Sequence, residues 1–171
     1  IGLVAVASSA LNQWLERQTD ARMQRTADRP LPAGRLAPGE ALWLGVVCAV
    51  LGVGILAVWV NWLTAVWSAI TLAMYVLLYT PLKRRLPLAT AVGAVPGALP
   101  PVLGWLAAGR PFDFSAFALF AVLFLWQFPH FLAIAWIYRD DYARAGLKML
   151  PTRTPVPRIT GTLAFAYSVV L

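Results

Sequence analysis

The sequence has 171 residues, 60% of them hydrophobic and 12% charged, with a mean hydropathy of +0.71. A soluble domain carries about 25% charged residues, so this composition excludes an ordinary water-soluble enzyme and points to a polytopic helical membrane protein. The net charge of +7 reads as topological bias rather than nucleic-acid binding, and Cys48, the one cysteine, has no intrachain disulfide partner.

A helix needs roughly 20 apolar residues to cross about 30 Å of hydrocarbon. That length predicts spans at about 1–20, 41–59, 62–81, 88–108, 115–138 and 156–171, forming one transmembrane domain. Both ends fall inside apolar runs, "IGLVAVASSA" and "TLAFAYSVVL", which predicts a fragment of a longer protein. Thirteen of the 14 Lys and Arg residues lie at about 16–40, 81–87 and 138–158, and only Arg110 lies on the other side. Positive-inside bias therefore makes those three regions cytoplasmic and starts Ile1 near the outer face.

Orientation explains the cations of the first loop but not its acids. In "LNQWLERQTDARMQRTADRPLPAGRL", Asn12, Glu16 and Asp20 are four residues apart, so they form one stripe on a helix. One reading is a helix end surfacing into water, its carboxylates neutralised by Arg17 or Arg25. The other is a divalent-cation site, because Mg²⁺ takes oxygen ligands and often shares one or two carboxylates with substrate phosphates. Arg25, Arg29 and Arg35, with Lys83 and Arg84 of the next basic loop, supply the other half of a diphosphate clamp.

The next spans add polar groups at the same end. In "YTPLKRRLP", Tyr79 and Lys83 are one helical turn apart, so phenol and ammonium can face one ligand. "VGAVPGALPPVLGW" packs Pro96, Pro100, Pro101, Gly93, Gly97 and Gly104 into one span. That predicts a broken helix that lines a cavity, or close helix packing through glycine. In "FLWQFPHFLAIAW", Gln127 and His130 are set for interhelical hydrogen bonds, or, for the histidine, for a metalloporphyrin or proton handling. "YRDDYARAGLKMLP" then brings Asp140 and Asp141 to the same end as Glu16 and Asp20, a second acidic cluster facing the first.

These runs, in this order across nearly the whole chain, resemble the signatures of the UbiA-type intramembrane prenyltransferases. "WQFPHF" followed by "DDYARAGLKMLP" is closest to the branch that farnesylates haem. The resemblance implies an all-α bundle of nine helices, of which this chain would hold the second to part of the seventh. It implies transfer of farnesyl from farnesyl diphosphate to a vinyl group of protohaem IX, with water added and diphosphate released. Mg²⁺ would be the cofactor, with haem as substrate. By the same resemblance Asn12, Glu16, Asp20 and Lys83 are catalytic, and Arg25, Arg29, Tyr79, Lys83 and Arg84 bind diphosphate. Gln127 and His130 would meet the acceptor, and Asn12, Glu16, Asp20, Asp140 and Asp141 would hold Mg²⁺.

The family's first acidic motif has an Asp where this chain has Gln13, and the second has a carboxylate four residues earlier, where this chain has Trp136 and Ile137. Leu86 and Ala89 replace polar residues of the following loop. The implied setting is a bacterial inner membrane with active-site loops in the cytoplasm. Implied partners are the bilayer and proteins of haem A synthesis or cytochrome oxidase assembly, with no nucleic acid. Two alternatives stand beside it: a sister enzyme acting on a quinone precursor or chlorophyll-type ring, and a membrane transporter, which would carry its charges near mid-span.

Overall fold

The computed structural model describes residues 1–83, 89–146 and 157–171, the side chains of 157–159 excepted. Arg84, Leu86 and the rest of 84–88 lie outside the described residues. Helix α1 covers Gly2–Asp20, and α2 covers Pro38–Ile55 and runs on as a wider π-helical turn, Leu56–Val60. Helix α3 is Trp62–Ala73, widened over Met74–Tyr79 and finished by Thr80–Leu82. Then come α4 (Ala89–Ala107), α5 (Phe114–Ile137), the short α6 (Arg139–Arg144) and α7 (Pro157–Val170). The described residues contain no strand.

Four helical stretches are long and apolar enough to cross a membrane: Pro38–Val60, Trp62–Leu82, Ala89–Ala107 and Phe114–Ile137. With the helices at either end, they make a multi-pass helical bundle. Helix α1 has 19 residues, but its last nine carry Asn12, Glu16, Arg17 and Asp20. The last helix contributes a shorter apolar run, Thr160–Val170.

Local chemistry sets the boundaries. Pro38 occupies the first turn of α2, where no N–H is needed, and Glu40 Oε2 reaches back to accept the Ala37 N–H at 2.8 Å. The α2–α3 hairpin turns on Asn61. Its extended backbone ends one helix, its Oδ1 accepts the Thr64 N–H at 2.8 Å to cap the next, and its Nδ2 donates to the Leu106 carbonyl of α4. Asp113 caps α5 in the same way through Ala116 N–H. Pro81 has no N–H to offer the carbonyl four residues back, and α3 is widened just before it.

One expectation is corrected. The proline-rich span is not broken: α4 is continuous from Ala89 to Ala107 through Pro96, Pro100 and Pro101. Pro96 and Pro100 are one turn apart, so their missing N–H groups fall on one face. That face, with Gly97, lines an apolar cavity, where irregular hydrogen bonding is tolerated within a membrane protein.

Helices in lipid gain little from the hydrophobic effect and pack through small residues and interhelical hydrogen bonds. On α2, Ala41, Gly45, Cys48 and Gly52 form a buried small-residue stripe against α1. A Cβ at Gly45 would lie 2.7 Å from Leu11 Cγ, and one at Gly52 would lie 3.0 Å from the Val4 backbone nitrogen. Between α4 and α5 the close approach is at Gly97, where a Cβ would run into Gln127 Oε1. Gln127 is buried there, its Nε2 within 3.1 Å of the Ala94 and Leu123 carbonyls. The glycine-packing and cavity-wall readings of this span hold together, and Gly97 serves both.

Candidate active site

The stripe on α1 faces inward. Glu16 is 2% exposed and Asp20 4%, and Asn12 is buried with them, so this is not a helix end surfacing into water. Arg17 is not their counter-ion. It turns back on its own helix, donating to the Trp14 carbonyl and lying over the Trp14 ring. Lys83 Nζ donates to Glu16 Oε2, and Arg29 Nη1 donates to Asp20 Oδ2 at 2.8 Å. Thr80 Oγ1 lies 3.1 Å from Asn12 Oδ1 and 2.9 Å from the Tyr75 carbonyl, which ties the third member of the stripe to the widened turn of α3.

The loop after α1 is folded back under the bundle. Thr26, itself buried, donates from Oγ1 to the Asp20 carbonyl at 2.9 Å. This returns Arg25 and Arg29 to the helix end they follow. The result is a cavity of about 190 Å³ whose walls include Asn12, Glu16, Asp20, Arg25, Arg29, Tyr79 and Lys83. Beside it lies a second cavity of about 360 Å³, mostly apolar in surface, walled by Val4, Ala5, Pro96, Gly97, Pro100 and Leu103 together with the polar Ser8, Ser9, Gln13 and Thr71. Asn12, Arg29 and Tyr75 belong to both. A charged chamber thus adjoins a greasy one, the larger within the usual range of about 300–1,000 Å³ for ligand sites.

The structure gathers seven sequence-predicted site residues in the charged chamber: Asn12, Glu16, Asp20, Arg25, Arg29, Tyr79 and Lys83. Five others are placed elsewhere, one of them Arg35, exposed and paired with Asp28 at 2.8 Å. Asp140 has a side chain 79% exposed, 3.8 Å from Arg139 at its closest. Asp141 is buried, accepting the Arg25 N–H at Oδ2 and the Arg144 guanidinium at Oδ1. Burial would raise the Asp141 carboxyl, but the Arg25 amide and the Arg144 cation outweigh it and hold it below its ordinary value. Gln127 is bonded to α4 as described, and His130 is exposed on α5, stacked on Trp126 with ring centroids 4.8 Å apart.

Several wall residues escaped the sequence reading. Tyr75 stands four residues before Tyr79, and the spacing that paired Tyr79 with Lys83 would have found it. Tyr142 also lines the charged chamber. Burial pushes its phenol above the usual value against the nearby Arg25 and Arg29 cations, which keeps it a neutral hydrogen-bonding group. No local signal ties it to Arg25, which is 117 residues away.

The donor set can be weighed against a divalent cation. Among the described residues there is no group of three or more His, Cys, Asp or Glu side chains suited to a metal. What the chamber offers is two carboxylates and one amide oxygen, and Glu16 Oε1 is buried with no hydrogen-bond partner among the described residues. An all-oxygen, incomplete set fits Mg²⁺, which keeps water and takes further ligands from a substrate phosphate.

A family model described as "UbiA prenyltransferase family" matches residues 1–171. A protein of Solibacter usitatus named protoheme IX farnesyltransferase is 52% identical over 99% of this chain and 58% of its own length. Proteins of the same name from Koribacter versatilis (51% identical, 88% of this chain, 49% of that protein) and Sorangium cellulosum (52%, 87% and 53%) are similar as well. The chain thus spans about half the length of the curated relatives it matches. No solved structure matches it.

Proposed function

The chain belongs to the UbiA prenyltransferase family, and from that premise we propose that it forms the core of an enzyme that farnesylates haem. In this reading farnesyl diphosphate and protohaem IX are the substrates. Farnesyl is transferred to a vinyl group, water adds, and haem O and diphosphate are released. The observation that carries the proposal is the adjoining pair of chambers. One is charged and oxygen-rich, the other apolar, as a ligand with a diphosphate head and a 15-carbon tail requires. The choice of acceptor is supported by relatives about half identical to this chain that bear the name protoheme IX farnesyltransferase.

Lys83, Arg29 and Arg25 would receive the diphosphate, and their charges act where negative charge grows as the allylic C–O bond breaks. Asn12, Glu16 and Asp20 would hold Mg²⁺, which when bound supplies further stabilisation of the departing diphosphate. Lys83 and Arg29 neutralise Glu16 and Asp20 while no substrate is present, so the carboxylates are buried without being left unpaired. The apolar walls hold the tail and keep water from the allylic cation until the vinyl carbon attacks it. Tyr79, close against the chamber-facing side of α4 at Gly93, would orient the phosphate end.

The bundle would sit in a bacterial inner membrane with the charged chamber open to the cytoplasm, as the basic loops at that end favour. Its product would pass to haem A synthesis or cytochrome oxidase assembly. Expressing the intact protein and extracting its pigments tests the reading. A haem heavier by one farnesyl group and one hydroxyl is the expected product. Prenylated quinone precursors in its place would overturn the acceptor, and no prenylated product would overturn the enzyme.

A further inference from the structure

Resting on that reading, the geometry points to Asp141 as a positioning residue that holds Arg25 over the diphosphate chamber, rather than as a ligand of a second metal. Asp141 does not line the chamber, whereas Arg25 does. Both Asp141 carboxylate oxygens are committed inside the protein: Oδ2 to the Arg25 N–H at 3.2 Å, Oδ1 to Arg144. The first bond joins the loop after α1 to α6 across 116 residues.

The Arg25 side chain is fixed at the same joint. Its guanidinium carbon lies 5.0 Å from the Tyr138 ring centroid and 5.9 Å from that of Tyr142, and Nη2 lies 3.4 Å from the Tyr142 hydroxyl. Such stacking is favourable and directional. Beneath it Met23, Ala135, Tyr142 and Ala145 form a small buried cluster with Tyr138 packed on it. Backbone, guanidinium and apolar contacts therefore close one joint, and the charge they aim belongs to the chamber wall. Asp140, the neighbouring carboxylate, is solvated and takes no part.

The test titrates inorganic pyrophosphate into the full-length protein in detergent by calorimetry, with Mg²⁺ and with chelator. Asp141→Ala and Arg25→Ala are each expected to weaken binding about tenfold, the scale of one lost hydrogen bond to a charged group. The double variant should bind no worse than Arg25→Ala, because residues acting through one contact are not additive. Asp141→Asn keeps an oxygen for the Arg25 N–H and should retain most of the affinity at every Mg²⁺ concentration. In turnover, Asp141→Ala should raise KM for farnesyl diphosphate more than it lowers kcat.

A loss in Asp141→Asn that excess Mg²⁺ restores would overturn the proposal in favour of a metal ligand, and that comparison decides even if Asp141→Ala does not fold. Additive losses in the double variant would overturn it too. A protein that shows the predicted pyrophosphate pattern but makes no farnesylated haem would sink the acceptor reading alone. A wild type that binds no pyrophosphate would sink the chamber assignment and this inference together.

Discussion

The chain has two acidic clusters at one end of its bundle, and they do opposite things. Glu16 and Asp20 on α1 are buried in a chamber wall and are met by cations from other segments, Lys83 from the end of α3 and Arg29 from the loop. Asp140 and Asp141 find their cations within α6, at Arg139 and Arg144. A carboxylate met from across the fold holds the walls of a site together. One met by its helical neighbour stays out of the chamber, and Asp141 reaches it only through the Arg25 backbone. Both clusters are pairs of carboxylates, and the source of the counter-charge is the difference.

The sharpest way to break this contrast is to neutralise the α1 acids. Asp20→Asn or Glu16→Gln in the full-length protein should lower farnesyl transfer by about 10²–10³, the usual cost of one group that stabilises developing charge. The protein should still insert and run as a folded species on size exclusion. Undiminished haem O would remove these residues from the chemistry. Lys83→Met comes next. It strands a buried carboxylate, which typically costs about 3–5 kcal/mol, so lower thermal stability in detergent should accompany lost activity. Lys83→Met paired with Glu16→Gln should recover much of the stability and none of the activity.

Away from both clusters, Gly52→Leu should destabilise the bundle through the α1–α2 seam by about 1–3 kcal/mol, the cost of overpacking. A side chain there has the Val4 backbone against it, and backbone cannot swing aside. A melting shift with no selective change in KM for the diphosphate would separate scaffold from site. Unchanged melting would mean that the seam is looser than the geometry shows.

Four of the expected spans are helices long and apolar enough to cross a membrane, and they were readable in the sequence because bilayer thickness fixes helix length. So was the α1 stripe, since a spacing of four is a property of the helix alone. The continuity of α4 was not. Three prolines forbid particular hydrogen bonds, but whether a helix survives their loss depends on what lies against it, here a cavity and Gln127 of α5. Nor was the division of labour between the acidic clusters readable. The Asp141–Arg25 contact spans 116 residues, and nothing periodic in the chain encodes it. Two adjacent aspartates read alike as sequence, although α6 turns one inward and the other to water.

Acid titration sharpens the same distinction. The Asp141 carboxyl is held below its ordinary value, so its contribution to the joint is complete above the unfolded carboxylate range and is lost as pH falls through the lowered folded value. Thermal stability followed downward in pH should therefore carry an acid-side loss from this joint that Asp141→Asn removes. An identical acid profile in the variant would show that Asp141 does not hold the loop through its charge.

The smallest effect belongs to Asp140. With a side chain 79% exposed and Arg139 3.8 Å away, it resembles a surface ion pair, worth about 0–1 kcal/mol. Asp140→Ala should leave melting temperature, pyrophosphate affinity and farnesyl transfer close to wild type, while its neighbour's substitution does not. The pair controls for itself, because both variants remove one carboxylate from the same turn and change net charge equally. A general electrostatic role for the second cluster predicts equal losses, whereas a joint made by one side chain predicts a tenfold difference between adjacent residues. Equal losses in the two variants would return Asp140 to the site and erase the contrast between the clusters.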